Sequence, residues 1–207
     1  ALGSMYKGQY AGTLGDIGCF SFNGNKIMST GGGGMIVSNN SEHLKRAKHL
    51  TTTAKRDPLT YFHDEVGYNY RLVNVLAALG VAQLEQLDTF IASKLNTASY
   101  YRDNLQGIGD IGFQTVLDGV ESNEWLFTIT TSSMQRLLDY LNANEVMSRP
   151  FWIPMNQLPM YSNNLYINQS DISARVHRTA LSIPCSTNIL DTDLEKVVST
   201  IKLFFDK

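Results

Sequence analysis

Hydrophobic and polar positions divide the 207-residue chain into two stretches of different rhythm. "LGDIGCFSF" (14–22) reads as a strand whose Phe20, Ser21 and Phe22 alternate, and "GMIVS" (34–38) as a second short apolar strand that pairs with it or neighbours it. Asn39 and Asn40 supply a turn and a cap. Beyond them "SEHLKRAKHL" sets Leu44, Ala47 and Leu50 on one side of a short surface helix. After a loop, Val75, Leu76 and Leu79, then Leu84, Leu87, Ile91 and Leu95, recur at intervals of three and four. That spacing predicts one long helix or two in succession, with Gly80 as a kink. Past Gly107 the pattern becomes a smaller α+β one. "EWLFTIT" reads as a strand, "MQRLLDYLNANE" as a helix and "VMSRPFWIP" as a strand ended by proline. "LEKVVSTIKLFF" reads as a terminal helix, with Thr192 and Glu195 forming its capping box. The opening "ALGSMYKG" carries no capping or strand-starting signal. Residues 1–85 are expected in one domain, and 86–207, a linking helix and a small α+β domain, in another.

Composition narrows the class. With 43% hydrophobic and 17% charged residues the chain is globular and needs no staples. A formal charge of −2, a pI near 6.1 and the lack of a basic stripe give no reason to expect nucleic acid or an anionic membrane as partner. Apolar runs stay below the roughly 18 residues of a membrane span, and no secretory pattern opens the chain, so a cytoplasmic location is expected. Cys19 and Cys185 belong to no C-x-x-C pair and are read as ordinary buried thiols in a reducing compartment. His43, His49, His63 and His177 lack metal-ligand spacing, so no metal is expected, and His63 with Asp64 reads as a pair at a helix start.

Candidate chemistry concentrates at Lys26. In "FSFNGNKIMSTGGGGM" (20–35) it stands between Gly24 and the run Gly31–Gly34, which deny the backbone regular structure on both sides. Most lysines are solvated surface charges, but such a cation needs no two-sided frame. A P-loop lysine is excluded, because Ile27 follows Lys26 and the glycines come after it. A Schiff-base lysine fits: its amine must be partly desolvated and its stem held to present nitrogen to an aldehyde. Ser21, five residues earlier, could offer its hydroxyl to a phosphate. Arg71 suits a substrate diphosphate or a structural ion pair, and Asn23 and Asn25 could contact sugar hydroxyls or satisfy their own backbone.

Residues 1–40, together with "HDEVGYNYRLVNVLAALGVAQLEQLD" (63–88), resemble the nucleotide-sugar aminotransferases of the DegT/DnrJ/EryC1/StrS family; "SRPFWIPMNQLPMY" and "IPCSTNI" extend the resemblance towards the C-terminus. It implies an α/β chain with the type I PLP-dependent transferase fold, comprising the C-terminal part of the large domain (1–85) and a smaller α+β C-terminal domain. It further implies that Lys26 bonds pyridoxal 5′-phosphate (PLP), that Ser21 binds the cofactor phosphate, and that Asn69 reaches the phosphate of the neighbouring subunit. The site would then be shared in a homodimer. The implied reaction takes an amino group from L-glutamate to the C4 ketone of a nucleotide-linked sugar; a related branch that dehydrates has histidine at the lysine position. Many relatives carry glutamate where this chain has Gly32, and its absence resembles the branch acting on UDP-linked 4-keto-6-deoxy sugars with a 2-acetamido group, on routes to N-acetylbacillosamine or legionaminic acid. The family's acidic partner of the pyridinium nitrogen lies upstream of residue 1, so the resemblance covers a C-terminal half. The alternative reading is a catalytically inactive fragment that only folds or dimerises.

Overall fold

The computed structural model describes residues 1–206. The chain opens in a hairpin of β1 (Met5–Tyr6) and β2 (Gln9–Tyr10). Its two turn residues, Lys7 (φ 49°) and Gly8 (φ 76°), take the left-handed backbone of a primed turn that matches strand twist. No strand was expected here; the turn signal rests on one glycine behind a lysine, not on an Asn-Gly pair. β3 (Gly18–Ser21) and β4 (Gly34–Val37) pair antiparallel from Gly18 opposite Val37 to Ser21 opposite Gly34. α1 (Ser41–Thr51) starts where expected, because the Asn40 side chain accepts from the Glu42 N–H at 2.9 Å.

β5 (Lys55–Asp57) and β6 (Phe62–His63) form a short ribbon. His63 and Asp64 therefore do not start a helix: His63 Nδ1 bonds the Thr53 carbonyl at 2.7 Å, and Asp64 faces His49. α2 (Asn74–Leu84) and α3 (Leu87–Leu105) follow with a 57° bend between them. The break lies at Glu85 and Gln86, and Gly80 is not a kink. A Cβ at Gly80 would lie 2.9 Å from the Thr30 methyl, so that glycine serves close packing. Among the described residues no single helix is long and apolar enough to cross a membrane.

Next come β7 (Gly112–Phe113), β8 (Val120–Glu121), β9 (Phe127–Thr130), α4 (Met134–Ala143), β10 (Arg149–Pro150), α5 (Ile172–Thr179), β11 (Ala180–Ile183) and α6 (Asp191–Phe205). The strand in "EWLFTIT" begins only at Phe127, since Trp125 is drawn into a turn. The one in "VMSRPFWIP" shrinks to two residues at a sheet edge, where Pro150 sacrifices no ladder bond. The cap of α6 is not Thr192 with Glu195. The helix starts one residue before Thr192, and the Asp193 carboxylate accepts from the Leu190 N–H at 3.4 Å.

The chain folds into two compact units, Ala1–Ala92 with Leu117–Trp125, and Ser93–Val116 with Leu126 onward. The first holds the sheet β2-β1-β8, the two ribbons and helices α1 and α2. In the second, the antiparallel sheet β10-β11-β9-β7 shares a core with α3, α4 and α6, where Tyr101, Leu105, Ile129, Leu137, Leu141, Leu181 and Ile201 are fully buried. The buried face of α3 is Lys94, Thr97, Ala98, Tyr101 and Leu105, so Leu95, expected on the apolar side, is 45% exposed. The Lys94 ammonium donates to the Cys185 carbonyl inside this unit, and the Cys185 thiol is buried. Cys19 is not a buried thiol, because its side chain lies on an open face of β3.

Candidate active site

The loop joining β3 to β4 is tied from within. The Phe22 N–H donates to the Gly33 carbonyl at 3.0 Å, and the Phe22 carbonyl accepts from the Thr30 N–H at 3.1 Å and the Ser29 hydroxyl at 3.1 Å. Ser29 Oγ accepts from the Gly31 N–H at 2.8 Å, the Thr30 hydroxyl donates to the Gly32 carbonyl, and Gln83 on α2 accepts from the Ser29 N–H at 3.3 Å. Phe22, Ile27, Met28 and Thr30 are buried, which fastens the loop at both ends. The glycines differ in need. A Cβ at Gly34 would stand 2.4 Å from the Phe20 carbonyl oxygen, and Gly33 has φ +87° with Leu72 at 2.7 Å from its would-be Cβ. Gly32 has open space around it and no left-handed backbone.

Lys26 closes a turn by donating its N–H to the Asn23 carbonyl at 3.0 Å. Its side chain is half-buried, and Nζ lies 4.1 Å from the centre of the Trp125 ring. The Trp125 indole N–H donates to the Asn25 carbonyl at 2.7 Å, so one side chain touches both the lysine and the backbone beside it. Lys26 opens on a cavity of about 160 Å³ lined also by Cys19, Phe20, Ser21, Met28, Asn123 and Trp125.

Ser21 and Lys26 therefore share a cavity wall. Asn23 is exposed beside it, and its amide donates to Asn25 Oδ1 at 3.2 Å. Asn69 and Arg71 are exposed and do not line the cavity. The Asn69 backbone bridges to Thr52, between Tyr68 and Tyr70, whose rings stack at 5.1 Å. It caps no helix, since Val73 stands at the start of α2. Arg71 forms no ion pair among the described residues.

Two groupings escaped sequence reasoning. Trp125 is one; the "SNEW" run signals a turn through its Asn and Ser acceptors but not the ring's partner. The other is His49, Asp64 and Glu65, whose ligand atoms lie within 4.8 Å of one another. Arg46 holds both oxygens of Glu65, and its hydrogen bond keeps that carboxyl below the usual range, as His49 does for Asp64. This is an ion-pair network.

The cavity suits an aldehyde with a phosphate tail: it offers a half-buried amine for the one and a hydroxyl for an oxygen of the other. No carboxylate lines it to face a ring nitrogen. The donor set thus fits the aldehyde and phosphate ends of PLP.

EpsN of Bacillus subtilis (strain 168), whose name assigns it provisionally to the pyridoxal phosphate-dependent aminotransferases, is 32% identical over 211 residues, 99% of this chain and 54% of its own length. GDP-perosamine synthase of Escherichia coli O157:H7 is 39% identical over 165 residues, 78% of this chain and 45% of its own. The crystal structure of DesV from S. venezuelae matches with a TM-score of 0.91 at 24% identity, over 100% of this chain and 56% of that one, a likeness of fold. The fold is thus the α/β fold of PLP-dependent sugar aminotransferases, and the chain spans about half the length of the curated relatives it matches. With the family's sequence pattern running through residues 1–202, the chain belongs to the DegT/DnrJ/EryC1/StrS aminotransferase family, whose enzymes depend on PLP.

Proposed function

We propose that the full-length protein is a transaminase that moves the amino group of L-glutamate to the C4 ketone of a nucleotide-linked 4-keto-6-deoxy sugar, for surface-polysaccharide or glycan biosynthesis. The observation that carries this reading is Lys26, a half-buried amine in a glycine-shaped loop, on a cavity wall that also bears Ser21. When bound, PLP supplies the electron sink that acidifies the hydrogen on the donor's α-carbon. Lys26 would anchor the cofactor at its aldehyde carbon; its Nζ, once free, would move a proton from the donor α-carbon to that cofactor carbon, and in the second half-reaction from that carbon to C4 of the sugar. Ser21 Oγ donates to the cofactor phosphate. Asn69 reaches the phosphate of a second copy, so the homodimer shares its sites. Asn23 contacts sugar hydroxyls, and the Arg71 fork suits the diphosphate.

In this reading residues 1–85 are the C-terminal part of the large PLP-binding domain and 86–207 the linking helix and small domain, except for Leu117–Trp125, which packs with the first unit. Gly32, in place of the glutamate of many relatives, supports a UDP-linked 2-acetamido sugar; the similarity to GDP-perosamine synthase makes GDP the rival nucleotide.

Full-length protein given L-glutamate and a UDP- or GDP-linked 4-keto-6-deoxy sugar should release 2-oxoglutarate and a 4-amino sugar nucleotide, both read by mass spectrometry. Lys26→Ala should reduce turnover to background with the fold retained, because the group removed contributes chemistry more than packing. Turnover of that variant within about tenfold of wild type would overturn the reading.

A further inference from the structure

Trp125 lies at the end of Leu117–Trp125, the segment by which the chain returns to the first compact unit, and neither strand nor helix accounts for its placement. Its aim is fixed by neighbours. The Asn123 side chain, 6% exposed, accepts from the Trp125 N–H at 3.0 Å, while its amide donates to the Leu2 carbonyl at 2.8 Å. The Asn123 N–H donates to Ser4 Oγ at 3.0 Å, and β8 pairs with β1 just before it. Glu124 takes φ 47° to make the turn, a left-handed backbone uncommon outside glycine and asparagine. The Trp125 backbone is therefore held by a buried amide that is itself bonded to Leu2, in the segment just before β1.

From this perch the indole meets both the backbone before Lys26 and the lysine's amine. Its N–H bonds the Asn25 carbonyl at 2.7 Å, and its face lies 4.1 Å from Lys26 Nζ. A ring quadrupole attracts an ammonium at that distance. A hydrogen bond to the residue preceding the lysine fixes where its stem begins. Phenylalanine could supply the face without the N–H; leucine supplies neither.

The geometry points to Trp125 as a positioning residue for Lys26, fixing the loop at Asn25 and giving the unbonded amine a resting place on its ring. This rests on the reading of Lys26 as the cofactor lysine. The indole confines the four rotatable bonds of the lysine stem, so the amine meets an incoming aldehyde already in the cavity rather than wandering into solvent.

The test uses full-length protein stripped of cofactor. PLP is added, the bond formed is reduced with borohydride at timed intervals, and peptide mapping measures label at Lys26. Trp125→Phe should label about fivefold more slowly, the value of one lost hydrogen bond, and Trp125→Leu tenfold or more, having lost the ring face as well. Independently of cofactor, the difference between wild type and Lys26→Ala should show an indole band in the near-ultraviolet that disappears when Trp125→Phe is the background. Melting temperatures locate any loss that is merely structural. Label on wild-type Lys26 with a Trp125→Phe rate within twofold of it, and no indole difference band, overturns the role of Trp125 and leaves the cofactor reading standing. No label at wild-type Lys26 overturns the cofactor reading and this role with it.

Discussion

A methyl group at Gly34 would stand 2.4 Å from the Phe20 carbonyl, whereas one at Gly32 would touch nothing within 4 Å. Two glycines that look alike in "GGGG" are thus under opposite constraints. Gly34→Ala should force β3 and β4 apart and lower stability by about 1–3 kcal/mol, as overpacking against backbone does. Gly32→Glu should stay within about 0.5 kcal/mol of wild type, as surface substitutions away from special features do. Chemical denaturation of the two variants checks this, and a Gly32→Glu loss equal to that of Gly34→Ala would contradict it. The loop that sets Lys26 and Ser21 on one cavity was legible at this scale because its signal is local: glycines on both sides of one and a strand end at the other. Trp125 was not, because its partner Asn25 lies 100 positions away and no short-range pattern encodes a ring placed under an amine.

Elements show the same division between local and distant causes. α1, α4 and α6 follow from periodicity, since in each an apolar stripe or a side-chain cap is written within one or two turns. The α2–α3 break was legible only as two possible helices, and Gly80 was misread because its reason, the Thr30 methyl, comes from another loop. The return of Leu117–Trp125 to the first unit was illegible for a similar cause, since β8 takes its partner, β1, from more than a hundred positions earlier. α4 offers a test. Asp110 accepts from the Ser132 N–H at 2.8 Å and from the Thr131 hydroxyl, just ahead of the helix, and these bonds hold its carboxyl down to about 2. A carboxyl lowered in the folded state contributes stability above its unfolded value near 3.8, and this is lost as pH falls towards about 2. Asp110 is exposed, so solvent screening limits the effect: Asp110→Asn should cost at most about 1 kcal/mol at pH 7, shrinking as pH falls from 4 to 2. A gap that widens over that interval would show the sign to be wrong.

At the scale of the whole molecule, α2 is apolar around its circumference and has no buried residue, while Val66, Tyr68, Tyr70, Val73 and Val75 on either side of Asn69 are also exposed. A helix apolar on all sides is ordinarily covered. The chain spans about half the length of its relatives, so the remainder of the full-length protein is one cover for α2; in the shared-site proposal a second copy lies over the stretch around Asn69 and receives its outward side chain. If so, Asn69→Ala mixed with Lys26→Ala, both as full-length protein, should regain activity, since each heterodimer contains one site with both residues intact. The Asn69 contact, a hydrogen bond to a charged group worth about 1.5–3 kcal/mol, should on removal weaken PLP binding roughly 10- to 100-fold without abolishing it. A residue serving only its own chain, through its bridge to Thr52, would instead lower melting temperature, leave PLP affinity unchanged and give no complementation. Subunit exchange is established first by native mass spectrometry. With exchange in hand, a mixture no more active than the sum of its two parents rules out a site shared between copies and returns Asn69 to its own chain.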